Sequence, residues 1–385
     1  MTSVYISGYG MVTSLGANVE ENWSGAIAGE SGIGVAHDFP NSGEHSILAK
    51  IEGLSGKDRL YEISKKALQQ CIENSKLSKD ELSKTALVFA HASGDGVSLK
   101  EEFELMDKYG RCHPNAVYRA MNSYIASRLS SEFGLKAVVI STASACAGSA
   151  LAIHTGHALI KSGSVDRCIC GGGDIVDQFA YMGFESMRIV LSRKKDLGKN
   201  IVQPFGQERS GIVLGEGAGF VLLESGLSNR RVDKRQRINI ESSIFENEPN
   251  AVYGDVPVNR WVSILEKAST NVCDIGYLVA HGTSTTSGDM TEGKGIVEYD
   301  NRIAVSSYKY YFGHTLSASS VIDLIFICKC LEEKTFLGVG WDYDLDRELV
   351  GLNLLSKNIN LEVNRAAKLT AGFGGGIGCL ILNLE

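Results

Sequence analysis

Cys146 stands in VVISTASACAGSALAIHTGHALIKSG, residues 138–163, where a β-branched run gives way to an alanine-rich run of helical character. A packing cysteine needs no such junction. A reactive thiol gains from it, because the start of a helix offers unpaired N–H groups and partial positive charge. Such a setting can lower a thiol pKa and can stabilise the oxyanion formed when a thiolate attacks a thioester. Ala145, Ala147 and Gly148 leave room for a substrate. His281 lies in VAHGTSTTSGDMTE, at the end of an apolar run, followed by Gly282 and several hydroxyl residues. Asp289 and Glu292 stand at the spacing of a helix N-cap and first-turn acid, which accounts for the two acids but not for the histidine. His314 lies in VSSYKYYFGHTLSAS, five residues after Lys309. The tail AGFGGGIGCLILNLE surrounds Phe373 with glycines, which suit close backbone approach to a ligand or, equally, a bulge or strand turn.

Short apolar runs alternating with helical patterns must carry these residues. Strands are expected at 4–7, 85–90, 138–142, 168–171, 215–223, 238–244, 277–280, 369–373 and 379–384. Helices are expected at 19–28, 61–74, 122–133, 147–162, 260–268 and 320–331. This alternation argues for a layered α/β fold. The polar stretch SGLSNRRVDKRQR, residues 225–237, reads as a solvated connector. LVFAHASG (87–94) echoes YLVAHGTS (277–284), and STASACAGSA (141–150) echoes YYFGHTLSAS (310–319). Duplication or chance would each produce such echoes.

The chain has 385 residues, 44% of them hydrophobic, enough for one large domain or two fused halves. A net charge of −7 without a basic stripe points away from nucleic acid. No apolar run reaches the length of a membrane span, and MTSVYISGYG reads as a strand and turn rather than a secretory signal. Nine scattered cysteines suit a reducing cytoplasm. Cys168 with Cys170, and Cys328 with Cys330, lie in apolar runs without zinc spacing and read as core residues. His154 and His157 read as packing or surface residues.

Taken in order, the cysteine elbow, the HGT-x-T-x-x-GD-x-x-E motif, the K-x4-H motif and GFGGG resemble the β-ketoacyl-carrier-protein synthases of the elongating Cys-His-His type, within the thiolase superfamily. VYISGYGMVTSLG, VDRCICGGGD and RSGIVLGEGAGFVLLE extend the resemblance along nearly the whole chain. It implies a thiolase-like α/β fold of two duplicated halves forming an α-β-α-β-α sandwich. Residues 1–236 would carry the nucleophile and 237–385 both histidines. It implies Cys146 as acyl acceptor, His281 and His314 as the pair that binds and decarboxylates a malonyl thioester, and Lys309 as their support. The oxyanion hole would be the N–H groups of Cys146 and Phe373, with Phe373 also a gate. Thr283 and Thr285 would hold the pantetheine arm, with Asp289, Glu292 and Asp323 in supporting places. No cofactor is implied beyond substrates on the phosphopantetheine of an acyl carrier protein. The implied partners are that carrier and a second subunit, either a copy of the chain or a chain-length-factor-like subunit in a polyketide or aryl polyene pathway.

Departures from the family pattern place Asp323 where Glu is usual, Gly206 and Ser210 where acids flank the arginine of a gating loop, SASS where GAAG is frequent, and Gly376-Ile377 where Thr-Asn is usual. Asp95, in HASGDG, falls near the family's acyl pocket and reads either as a pocket residue or as a loop cap. A degradative thiolase would carry a second cysteine just before the glycine cluster, where this chain has Phe373. A noncatalytic partner subunit would lack Cys146.

Overall fold

The computed structural model describes residues 2–36, 46–54, 56, 58–92, 96–190, 202–227, 237–252, 255–270 and 275–385. Asp95 and most of the 225–237 connector lie outside the described residues. Ten strands join into one sheet: β1 (Val4–Thr13), β2 (Ala86–Ala90), β3 (Val139–Thr142), β4 (Arg167–Asp174), β5 (Gly217–Ser225), β6 (Ile238–Asn247), β7 (Tyr277–Val279), β8 (Ala304–Ser306), β9 (Arg365–Ala371) and β10 (Gly376–Leu384). Their order is β8-β7-β9-β10-β6-β1-β5-β4-β2-β3. Read outward from the centre, each half has the same order. The central β6–β1 junction is short, pairing Tyr5 with Asn239 and Ile6 with Ile238.

Six helices repeat in the same way: α1 (Arg59–Ser75), α2 (Tyr124–Phe133), α3 (Gly148–Lys161), α4 (Val258–Ser269), α5 (Thr286–Asp300) and α6 (Ser319–Glu333). Their burial follows from their sequences. On α4, Trp261, Ile264, Leu265 and Ala268 fall on one buried face at helical spacing, as an outer-layer helix requires. On α6, every residue from Ser319 to Leu331 is buried, as expected for a helix covered on all sides. Helices α3 and α6 pack on each other, and each lies against strands of both halves. One core fills this central layer, while separate cores lie under α1 and α2 on one side and under α4 on the other. These are the five α-β-α-β-α layers. Cys168, Cys170, Cys328 and Cys330 are all buried in them. His154 packs against β6, its Nδ1 3.0 Å from Ser243 Oγ. No described helix is long and apolar enough to cross a membrane.

Most expected elements appear within a few residues of their sequence limits. The strand expected at 369–373 instead runs over Arg365–Ala371. The chain leaves it at Gly372, and Gly374 and Gly375 both take φ +87° in the turn to β10. Phe373 is therefore a loop residue, freed from the sheet.

Glu216, just before β5, ties three segments together. It is buried, accepts from Ile51 N–H at 2.9 Å and Val176 N–H at 3.1 Å, and pairs with Arg59 of α1 at 2.5 Å. Removing it leaves a partly buried guanidinium and two buried N–H groups without their acceptor. Glu216→Ala is therefore expected to cost about 3–5 kcal/mol of unfolding free energy, read from the shift of the urea midpoint.

Candidate active site

The two repeats deliver equivalent elbows to the centre of the molecule. After β3, a one-turn 3-10 helix (Ala145–Ala147) leads into α3; before α6, a matching turn (Leu316–Ala318) does the same. Each turn begins with a non-glycine residue in left-handed conformation, Ala145 at φ 42° and Leu316 at φ 48°. Such a conformation costs on the order of 1 kcal/mol or more and persists where packing enforces it. The duplication therefore sets Cys146 opposite Ser317 in the repeat, and His91 at the end of β2 opposite His281 after β7. Ser317 donates its N–H to the buried Asp174 at 2.8 Å, and His91 Nε2 lies 2.9 Å from Asn122 O. Chemistry-bearing residues have been kept in different places in each half.

Cys146, His281, His314, Thr283, Thr285 and Phe373 line one cavity of about 250 Å³. The imidazole centroids of His281 and His314 are 5.4 Å apart, with the rings nearly perpendicular. Each Nδ1 is buried without a hydrogen-bond partner, which leaves Nε2 to meet a ligand. One stretch of the wall is apolar, formed by Phe184, Met187, Ile189 and Ile212; another bears Thr283, Thr285, Ser287 and Thr291. Phe373, 40% exposed, stacks on Phe184 at 5.9 Å. Gly372 allows this placement. A Cβ there would stand 2.6 Å from Ser144 O and 3.1 Å from Cys146 N, so no larger residue can bring the Phe373 peptide against the elbow.

Asp289 and Glu292 depart from the capping arrangement that their spacing suggests. Thr285 is the N-cap of α5, and the two acids reach back to the loop that precedes it. Glu292 accepts the N–H groups of His281 (2.6 Å) and Gly282 (2.8 Å). Asp289 accepts those of Thr283 (3.0 Å), Ser284 (3.1 Å) and Phe205 (2.7 Å). Together they pin the loop that presents His281. Burial pushes Asp289 up to about 7 even though these N–H groups pull the other way.

Burial also decides the other protonation states. It drives His281 well below its ordinary value, helped by His314 and by the Lys309 and Lys368 ammonium groups. His314 falls to about 3 by burial and Lys309, with Asp323 opposing. Both imidazoles are neutral at physiological pH. The Cys146 thiol is pushed up to about 12, by burial and by nearby Asp174, against Lys309 and a backbone hydrogen bond. The helix start thus fails to give the lowered thiol pKa expected from the sequence. Desolvation of a buried sulfur favours the neutral thiol, so the nucleophile must lose its proton for attack.

The shortened carboxylate at Asp323 still reaches its partners. Its Oδ2 lies 3.0 Å from Lys309 Nζ and 2.8 Å from Lys368 Nζ, and all three residues are buried. Burial opposes ionisation of Asp323, but the two lysines overcome it and hold the carboxyl below its ordinary value. Sequence reasoning did not find Lys368. The available signal was a lysine inside the apolar strand RAAKLTA, which demands a buried partner.

In the loop with the altered acids, Arg209 is nearly buried and donates to Gly206 O (2.8 Å), Thr285 O (3.2 Å) and Thr286 O (2.8 Å), and pairs with Asp346. Asp346 thus supplies a carboxylate from a distant segment. A Cβ at Gly206 would stand 2.9 Å from the Tyr343 ring, so the ring fills the space an acid would need. Ser210 is exposed. Cys379 is buried in β10 and is not among the residues lining the cavity. Among the described residues, no cluster of His, Cys, Asp and Glu has metal-binding geometry.

The pattern of the β-ketoacyl synthase N-terminal domain matches residues 57–228, and that of the C-terminal domain matches residues 251–338. The chain belongs to the β-ketoacyl synthase family. It is an acyltransferase of the ketosynthase type, a family whose acyl substrates ride on carrier-protein phosphopantetheine. It is 28% identical to 3-oxoacyl-[acyl-carrier-protein] synthase 2 of Synechocystis sp., over 84% of this chain and 83% of that protein. Its fold matches the ishigamide ketosynthase/chain length factor with a TM-score of 0.88 at 21% identity, covering 100% of this chain and 99% of the other. It also matches the ketosynthase ApeO in complex with its chain length factor ApeC from Xenorhabdus doucetiae, with a TM-score of 0.83 at 23% identity, covering 100% and 98%.

Two expected outcomes follow from this geometry. Gly206→Asp, which restores the family's usual acid, should clash with Tyr343 and cost about 1–3 kcal/mol, measured as a lower urea midpoint with an unchanged slope. A reaction that needs neutral imidazoles should keep its rate as pH falls through the ordinary histidine value of about 6.5, because the folded-state values lie lower. A pH–rate profile with its acid limb centred at the ordinary histidine value would contradict the burial argument.

Proposed function

We propose that the chain condenses an acyl group held on Cys146 with a malonyl unit carried by acyl carrier protein. Two neutral imidazoles sharing one cavity with a buried thiol and the Phe373 backbone support this reading. Cys146 attacks an acyl thioester, its proton passes to the departing carrier thiolate, and an acyl-enzyme remains. The malonyl thioester then places its carbonyl oxygen toward His281 and His314. Loss of carbon dioxide leaves its electron pair on the α-carbon, with enolate charge on that oxygen, where two N–H donors lower the barrier. The carbanion attacks the acyl-Cys146 carbonyl; the N–H groups of Cys146 and Phe373 receive the developing oxyanion. Collapse expels the Cys146 thiolate, which regains a proton, and yields the β-ketoacyl carrier protein. These steps use side chains, backbone and carrier-borne substrates, with no free cofactor.

Thr283 and Thr285, their hydroxyl oxygens 3.1 Å apart, line the polar stretch of wall and would hold the pantetheine arm. Phe373 gates the mouth. Lys309, Asp323, Asp289 and Glu292 hold the histidine segments. Residues 1–236 supply the nucleophile and 237–385 both imidazoles. The enzyme serves fatty-acid, polyketide or polyene assembly in the cytoplasm. It pairs with a second ketosynthase-like subunit, a copy of itself or a chain-length-factor-like chain, along the edge strand β3. Every residue of that strand is only half-buried, and Val138 beside it is exposed.

Intact-mass measurement after incubation with acyl carrier proteins bearing different chains tests the reading. The wild type should gain the mass of the acyl group, and Cys146→Ala should not. His281→Ala and His314→Ala should still acylate but lose malonyl decarboxylation by about a hundredfold or more. A wild type that never gains acyl mass, alone or co-expressed with a partner subunit, would refute it.

A further inference from the structure

Lys368 sits in the middle of β9 with none of its surface exposed. Its strand neighbours Ala366, Ala367 and Leu369 are buried and apolar. A cation in such a place is retained only with partners. Its Nζ donates to Ala280 O at 2.9 Å and to Asp323 Oδ2 at 2.8 Å. The peptide joining Ala280 to His281 is therefore held from both sides, its carbonyl by Lys368 and its N–H by Glu292 at 2.6 Å. The same Asp323 oxygen accepts Lys309 Nζ. The Lys309 carbonyl in turn accepts the N–H of Gly313, the residue before His314, at 3.0 Å. One buried chain, Ala280 O to Lys368 to Asp323 to Lys309, thus connects the two segments that carry the imidazoles.

We propose that Lys368 is a positioning residue for the decarboxylating pair: it locks the His281 peptide to the Lys309 turn and places a buried positive charge behind both rings. The inference rests on the condensing reading above. The groups facing the imidazoles are Lys309 before the turn, Asp323 on α6, Asp289 and Glu292 on α5, Cys146 at the elbow and Lys368 on β9. Of these, Lys309 and Lys368 oppose imidazolium formation at both rings, and Asp323 favours it at His314. Removing Lys368 takes away one opposing charge and leaves Asp323 balanced by Lys309 alone. Imidazole protonation then becomes easier, and the acid limb moves to higher pH. Loosening the peptide clamp separately degrades the donor geometry, and a displacement of about 1 Å is enough for a hundredfold loss.

The test compares wild type, Lys368→Met and Lys368→Gln. Methionine removes charge and donor, whereas glutamine removes the charge and keeps a donor. Three readouts are taken: acylation of Cys146 by intact mass, carbon dioxide release from malonyl carrier protein across pH, and imidazole titration by carbon-13-edited NMR. Lys368→Met should acylate within about twofold of wild type while its decarboxylation kcat falls about tenfold or more, with KM little changed. Lys368→Gln should recover part of that rate, yet its imidazoles should titrate higher by about half a pH unit or more. Should Lys368→Met fail to fold, Lys368→Gln and its titration carry the test. A wild type that neither acylates nor releases carbon dioxide overturns the condensing reading, and this inference with it. A wild type that does both, matched by the folded variants in rate, acid limb and imidazole titration, overturns the Lys368 inference alone.

Discussion

Charge taken out of water governs this molecule. The site lies at the elbows of the central helix layer, where its charged side chains are buried, so every ionised group there needs a partner. Lys309, Lys368 and Asp323 answer that demand among themselves, and Glu292 and Asp289 satisfy it with backbone N–H groups. The same dryness keeps both imidazoles neutral, and a neutral ring is the form that can donate to a developing oxyanion without competing for its own counter-charge. Acids that look like local caps in the sequence, together with two buried lysines, form the electrostatic frame of the cavity.

The thiol shows the other side of that constraint. A helix terminus favours thiolate, but loss of solvent around the buried sulfur and the nearby Asp174 push Cys146 toward the neutral thiol. Cys146 thus meets an incoming thioester as a thiol.

Duplication supplies the geometry. Each half brings a strand end, a strained elbow and a helix to the centre, and the two elbows share a left-handed residue at the same place. Their contents have diverged. One elbow presents the Cys146 thiol to the cavity; the other has Ser317 in its place, whose backbone N–H donates to Asp174. His281 lines the cavity, while His91, at the matching strand end, contacts Asn122. In the loop around Arg209, Asp346 pairs with the arginine and the Tyr343 ring stands against Gly206.

The amino-acid sequence by itself determined the alternation of strands and helices, and the elbow, histidine and glycine motifs with their family. These are local properties, set by periodicity, turn chemistry and short spacings. The Asp289 and Glu292 contacts escaped it because an acid at helix-start spacing looks the same whether it caps its own helix or reaches back to a preceding loop. Lys368 escaped it because its partners lie 45 and 88 positions away in the chain. Only the tertiary structure decided which charges meet, how dry they are and therefore which protonation states the site holds, because desolvation depends on what surrounds a group in space and not on its neighbours along the chain.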